Sequence, residues 1–141
     1  MTISSTTRKA GPFIGNGSAS SFPFTFKVFQ ASDLLVVQLD TTFDVESTLV
    51  LNTNYTVTLN TNQNTNPGGT VTLSAGALAA GYTLTITSDI DNLQPTDLTN
   101  QGGFYPTVIN DALDRATIQI QQLQVESDRS IKVPVSSTVG T

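Results

Sequence analysis

Apolar and polar residues alternate along much of the chain between residues 22 and 90. In "YTVTLN" (55–60) and "YTLTITSD" (82–89), apolar side chains take every second position and threonine fills most of the others. Such alternation predicts strands with one face in a core, and β-branched threonine suits the solvent side of a sheet. Related runs are "FPFTFKVF" (22–29), "DLLVVQLD" (33–40), "STLVLN" (47–52) and "TVTLSA" (70–75). With turn residues between the runs, the pattern indicates an antiparallel all-β sandwich or small barrel, and we expect a sandwich over 22–90.

A different pattern begins after Pro106. The apolar residues there recur at alternating steps of four and three: Ile109, Leu113, Ala116, Ile120 and Leu123. Steps that average about 3.5 residues predict a helix over 107–130 whose narrow apolar seam is typical of a coiled coil. An amphipathic helix packed on its own sandwich fits the same residues. The spacing leaves both interpretations open.

The rest of the chain reads as connections. Residues 1–21 are mostly small and polar, so we expect a flexible N-terminal segment. Residues 91–106 resemble a linker, because they contain several turn formers and include Gly102 and Gly103. Residues 131–141 form an exit segment after the helix.

Composition removes several function classes. The chain contains no cysteine, histidine or tryptophan, so disulfides, thiolate chemistry and serine–histidine catalysis are excluded for these residues. A net charge of -5 argues against sequence-independent nucleic-acid binding, which depends on lysine and arginine. No apolar run approaches the roughly 18 residues of a spanning helix, so membrane insertion is not expected.

Two groups of polar residues are candidates for chemical sites. The pairs Asp89/Asp91 and Asp40/Asp44 resemble the two carboxylates of a glycosidase, but they follow strands, where aspartate is a common turn former. The asparagines of the "NTNQNTN" run offer oxygen ligands for Ca²⁺ without the carboxylates that such sites normally include. We therefore expect no catalytic residues, no metal and no cofactor.

Longer blocks of sequence carry a family resemblance. In chain order they are "GPFIGNGSASSFPFTFKVFQASDLLVV", "NTNYTVTLNTNQNTNPGGTVTL", "AGYTLTITSDI", "QPTDLTNQGGFYPTVINDALDRATIQIQQL" and "IKVP". Together they resemble the N-terminal virion-attachment region of tail fibres and tailspikes from short-tailed bacteriophages. The resemblance implies a β-rich adaptor domain, usually trimeric, that fixes the fibre to the tail nozzle or adaptor ring. It also implies a helix that leads into the host-binding portion.

Further expectations follow from this resemblance. We expect the apolar seam to be the interface of a short trimeric coiled coil. We also expect the protein to be a structural virion component that is synthesised in the host cytoplasm. We expect residues 1–21 and the loop "NQNTNPGG" to face the virion, with Arg8, Lys9 and Phe13 as docking residues. Whether the chain is a truncated fibre or a stand-alone adaptor that recruits a separate receptor-binding protein is left open. The competing function is a sandwich that binds or cleaves host carbohydrate.

Overall fold

The described part of the chain folds into seven strands, one short 3₁₀ turn and one long helix. The computed structural model describes residues 3, 5–98 and 106–136. The elements are β1 Lys9–Ile14, β2 Ser21–Phe24, the 3₁₀ turn Ala31–Asp33, β3 Leu34–Asp40, β4 Val45–Thr48, β5 Tyr55–Leu59, β6 Gly69–Leu73, β7 Tyr82–Ser88 and α1 Pro106–Asp128. The predicted class, mainly β with a C-terminal helix, is confirmed.

The strands form two antiparallel sheets. The larger sheet has the order β1-β7-β3-β4, and the smaller has the order β2-β6-β5. Buried side chains from both sheets share one core, which contains Phe22, Phe24, Phe26, Val28, Leu34, Val36, Tyr55, Val71, Leu78, Leu84 and Ile86. The strands that carry these residues alternate as the sequence predicts: in β7, Leu84 and Ile86 are fully buried between half-buried threonines.

The outer face of the four-stranded sheet is also partly apolar. In β3, Leu34 and Val36 enter the core, whereas Leu35, Val37 and Leu39 are half-buried on the opposite face. A solvent-facing sheet surface would normally carry polar side chains at these positions. This face is therefore available for further packing.

Strand β1 differs from the sequence-based expectation. Residues 9–14 belong to the predicted flexible segment, yet Lys9–Ile14 pair with β7 along the edge of the larger sheet. The register shifts between Ala10 and Phe13, where Gly11 adopts a positive φ of 97°. This irregularity breaks the alternation in "KAGPFI", so the strand has no periodic signal in the sequence.

The helix lies close to its predicted bounds of 107–130. It runs from Pro106 to Asp128, with proline in the first turn, where its missing N–H has no helical partner to lose. Residues 99–105 of the predicted linker and 137–141 of the predicted exit segment lie outside the described residues. Within the described chain, no helix is long and apolar enough to cross a membrane.

Two glycines with positive φ allow a matched test of backbone packing. Gly68 has φ of 102°, and an added Cβ would collide with the carbonyl oxygen of Phe24, whereas Gly76 has φ of 100° and open space around it. Backbone strain should make Gly76→Ala cost about 1–2 kcal/mol of unfolding free energy. Gly68→Ala should cost about 1–3 kcal/mol more, since overpacking adds to the strain. Urea unfolding of both variants measures the difference, and equal losses would show that the loop before β6 shifts freely.

Candidate functional site

The helix contacts the sandwich through a face that is mostly polar. Among the described helix residues, Asp114 and Ile118 are the buried ones, at 3% and 0% exposure. Ile118 does not belong to the predicted seam. A search of the sequence for regularly spaced apolar residues does not detect this inner face, because aspartate and glutamine occupy its other contact positions.

The strongest inner contact is a buried charge cluster around Lys27. The Lys27 Nζ donates to Asp114 Oδ2 at 2.7 Å, to Asn64 Oδ1 at 2.6 Å and to Asp111 Oδ1 at 3.3 Å. It also lies 5.2 Å from the centre of the Phe29 ring. Lys27 is 5% exposed, so its charge is neutralised by protein groups rather than by water. One lysine thus joins the core strand region, the loop before β6 and the first half of the helix.

A second contact joins the middle of the helix to the end of β7. The Gln122 Oε1 accepts hydrogen bonds from Ser88 Oγ at 2.5 Å and from the Ile90 backbone N–H at 2.8 Å, and its Nε2 donates to the Ile90 carbonyl at 3.0 Å. Ile90 is 2% exposed. Because both backbone groups of Ile90 find a partner in one side chain, the chain after β7 stays ordered without a further strand.

The first residues of the predicted linker are also held by the helix. Arg115 donates to the carbonyls of Leu93 at 2.9 Å and Asp91 at 3.1 Å, and Gln119 donates to the same two carbonyls. These four hydrogen bonds fix residues 91–93 against the helix. The start of the linker is therefore part of the domain.

The three predicted docking residues occupy three different environments. Arg8 is 4% exposed and donates from Nη1 to the Lys27 carbonyl at 2.9 Å, with its guanidinium 5.1 Å from the Phe26 ring centre. Burial lowers the pKa of Arg8 to about 10, which leaves it protonated at neutral pH. Lys9 is exposed, and Phe13 is half-buried with its ring 5.2 Å from that of Phe22. The structure does not bring these side chains together on one free surface.

Ser5 of the N-terminal segment and Asn64 of the loop before β6 both lie beside the helix. The Gln121 Nε2 donates to the Ser5 carbonyl at 2.8 Å, and Asn64 of the "NQNTNPGG" loop shares Lys27 with the helix. Strand β1 of the same N-terminal segment runs away from this contact to Ile14, which pairs with Thr83 near the start of β7. Which of these surfaces faces the virion stays a prediction. Contacts between distant parts of the chain set this arrangement, and local sequence carries no signal for them.

The predicted seam lies on the opposite side of the helix from the sandwich contacts. Its members face outward: Leu113 is 62% exposed, Ile120 68% and Leu123 68%, while Ala116 is exposed and Ile109 half-buried. Side chains of this size normally leave water in a folded protein, so the helix carries an apolar stripe that the single chain does not cover.

A groove of about 1030 Å³ runs beside this stripe. One wall is the outer face of the larger sheet, with Leu35, Val37 and Leu39, and the other is the helix, with Ile120 and Leu123. Part of the seam and the apolar sheet face therefore border the same space.

Two of the candidate polar residues, Asp40 and Asn62, make local turn contacts in this fold. The Asp40 Oδ1 accepts the Thr42 N–H at 2.9 Å and so closes the turn after β3. The Asn62 Oδ1 accepts the N–H groups of Asn64 and Thr65 within its own loop. Among the described residues, no three acidic side chains cluster as a metal site would require.

Comparison with known proteins gives one informative match. The chain is 38% identical over 122 residues to the tail spike protein of Salmonella phage epsilon15. This confirms the resemblance predicted from the sequence. The match covers 86% of the chain but 11% of the relative, so the chain spans about a ninth of that tail spike. No protein-family model matches the chain.

The Lys27 cluster gives a stability prediction with a matched control. Lys27→Met should lower the unfolding free energy by about 3–5 kcal/mol, because Asp114 is left buried and unpaired. The double variant Lys27→Met with Asp114→Leu should recover much of this loss, since no buried charge remains unpaired. Lys132→Met removes the exposed pair with Asp128 and should leave the urea midpoint unchanged. If the Lys27 and Lys132 variants unfolded at the same urea concentration, the buried cluster would not stabilise the fold.

Proposed function

We propose that this chain is the attachment domain of a phage tail spike or fibre. In this role it is a structural virion component that trimerises and anchors a host-recognition portion to the tail nozzle or adaptor. The observation that carries the proposal is the 38% identity to a tail spike over 86% of the chain. The match covers 11% of the relative's length, which agrees with the chain being one domain of a much longer spike.

The exposed seam supports oligomerisation through the helix. Each buried isoleucine or leucine contributes about 1.5–3 kcal/mol when it leaves water, and Leu113, Ile120 and Leu123 are more than half exposed in the single chain. Their alternating spacing of three and four residues suits a parallel bundle of helices. The number three follows from the family resemblance.

The two helix interpretations left open by the sequence are compatible in this fold. The polar face packs on its own sandwich through Asp114 and Gln122, whereas the apolar seam points away from that contact. The neighbouring groove allows a second copy to contact the sheet face as well as the helix. A trimer of this kind would cover Leu35, Val37 and Leu39 together with Ile120 and Leu123.

The carbohydrate alternative receives less support from the aromatic residues. Tyr55 is 3% exposed in the core, and Tyr82 is half-buried against it. Neither ring forms the open platform on which a sugar would stack. These two tyrosines therefore give the carbohydrate alternative no support, and the similarity to a tail spike favours the structural role.

Substitution of the seam tests the assembly. Replacing Ile120 and Leu123 together by aspartate should dissociate the oligomer, because charge in a desolvated interface is costly. The mass of each protein in solution, from sedimentation equilibrium at micromolar concentration, measures this. Val50→Asp is the control, since Val50 is 57% exposed and lies outside the helix. A wild-type chain that sediments as a monomer would contradict the proposal.

A further inference from the structure

One end of the larger sheet lies opposite the end at which Ser88 contacts the helix. We call it the helix-distal end: Ile14 at the end of β1, the turn 41–44 between β3 and β4, and the first two residues of β4. Asp40 pairs with Tyr82 at the start of β7, and the helix contacts Ser88 at the end of that strand. Six residues of strand span about 20 Å at 3.3 Å each. The helix-distal end is thus about one strand length away from the Ser88 contact of the helix, and its nearest approach to the helix is across the groove that Glu46 and Leu123 line.

Three large apolar side chains project at this end. Phe43 is 76% exposed, Ile14 is 80% exposed and Val45 is 55% exposed. The register places Ile14 on edge strand β1 and Val45 on edge strand β4 at this end, with β7 and β3 between them. Val45 lies two residues from Phe43, so these two form the exposed apolar group of the turn, and Ile14 lies apart from them. An exposed apolar group of this kind can mark an interaction site.

The turn that presents Phe43 is fixed by hydrogen bonds. The Thr42 N–H donates to Asp40 Oδ1 at 2.9 Å, and Thr41 donates to the Gly81 carbonyl from its backbone N–H at 2.9 Å and from its hydroxyl at 2.6 Å. Asp44 follows with φ of 54°. An aromatic side chain on an ordered turn loses little backbone freedom on binding, which favours its use as an anchor.

The surroundings of Phe43 are acidic. Asp40, Asp44 and Glu46 lie within or beside the turn, and the sequence has no lysine or arginine between Lys27 and Arg115. A partner with basic side chains around an apolar pocket would complement this surface. A second acidic copy of the chain would not.

We propose that the helix-distal end docks in an apolar pocket, bordered by basic side chains, on a protein of the phage tail. The inference rests on the proposed function and assigns a surface to it. The helix, Ser5 and the loop before β6 meet at the other end, where Arg8 is enclosed by the core. A long spike joined through the helix leaves the helix-distal end as the exposed apolar surface that can face the virion.

The test compares two exposed apolar residues at opposite ends. Phe43→Ala should weaken binding to purified, spike-free particles of the phage that encodes this chain by about 30-fold, the effect of losing one interface hot spot. Leu93→Ala is the matched control, because Leu93 is 66% exposed but lies beside the helix. It should bind like the wild type. The solution mass and thermal midpoint of both variants should match the wild type.

A charge variant gives an independent measurement. Asp44→Asn with Glu46→Gln keeps the side-chain sizes, and asparagine tolerates the positive φ at position 44. Loss of attraction to basic groups should slow association by about 10-fold at low salt and reduce its salt dependence. The dissociation rate should change much less, since rim charges act mainly on encounter.

The outcomes separate this inference from the function on which it rests. Failure of the wild-type chain to bind spike-free particles would contradict the attachment function itself. Normal wild-type binding with equal affinities for Phe43→Ala and Leu93→Ala would overturn the helix-distal end as the docking surface. Lost binding in Lys9→Ala alone would place docking at the helix end. A changed solution mass in Phe43→Ala would overturn the inference and indicate that another copy of the chain covers this surface. Loss of binding to host polysaccharide in Phe43→Ala would overturn it and indicate that a sugar binds there.

Discussion

The buried charge of Lys27 governs how the helix joins the sandwich. An ammonium group removed from water is costly unless opposite charge and hydrogen-bond acceptors surround it. Asp114 and Asp111 supply the charge from the helix, and Asn64 supplies an acceptor from the loop before β6. Any movement of the helix would leave Lys27 and Asp114 unpaired in a site where both are almost fully buried. The helix position is therefore tied to this pair.

A polar attachment leaves the apolar side of the helix free. Gln122 and Asp114 fix orientation through directional hydrogen bonds, and Ile118 is the apolar side chain that enters the buried contact. If the inner face were a stripe of leucines, it would compete with the outer seam for the same sheet surface. The division into a polar inner face and an apolar outer face allows one helix to hold its own domain and to present Ile120 and Leu123 to other copies.

The sequence predicted those elements whose signal is local and periodic. Alternation placed Leu84 and Ile86 on the core face of β7, and the steps of three and four residues placed Leu113 and Ile120 on one side of a helix. Strand β1 was not predicted, because a bulge near Gly11 breaks the alternation of apolar and polar residues along it. The contact of Gln122 with Ile90 was not predicted either. Hydrophobic periodicity gives no information on which backbone groups a glutamine side chain will bind.

The sequence by itself determined the strand faces, the helix period and the lack of histidine and cysteine chemistry, because each depends on residue type and spacing alone. The tertiary structure decided which helix face packs, where Arg8 lies and which end of the sheet exposes Phe43. These features depend on pairings between remote residues, such as Lys27 with Asp114, which lie 87 positions apart. Local spacing does not encode such pairings, since they form when two sheets and a helix close around one core.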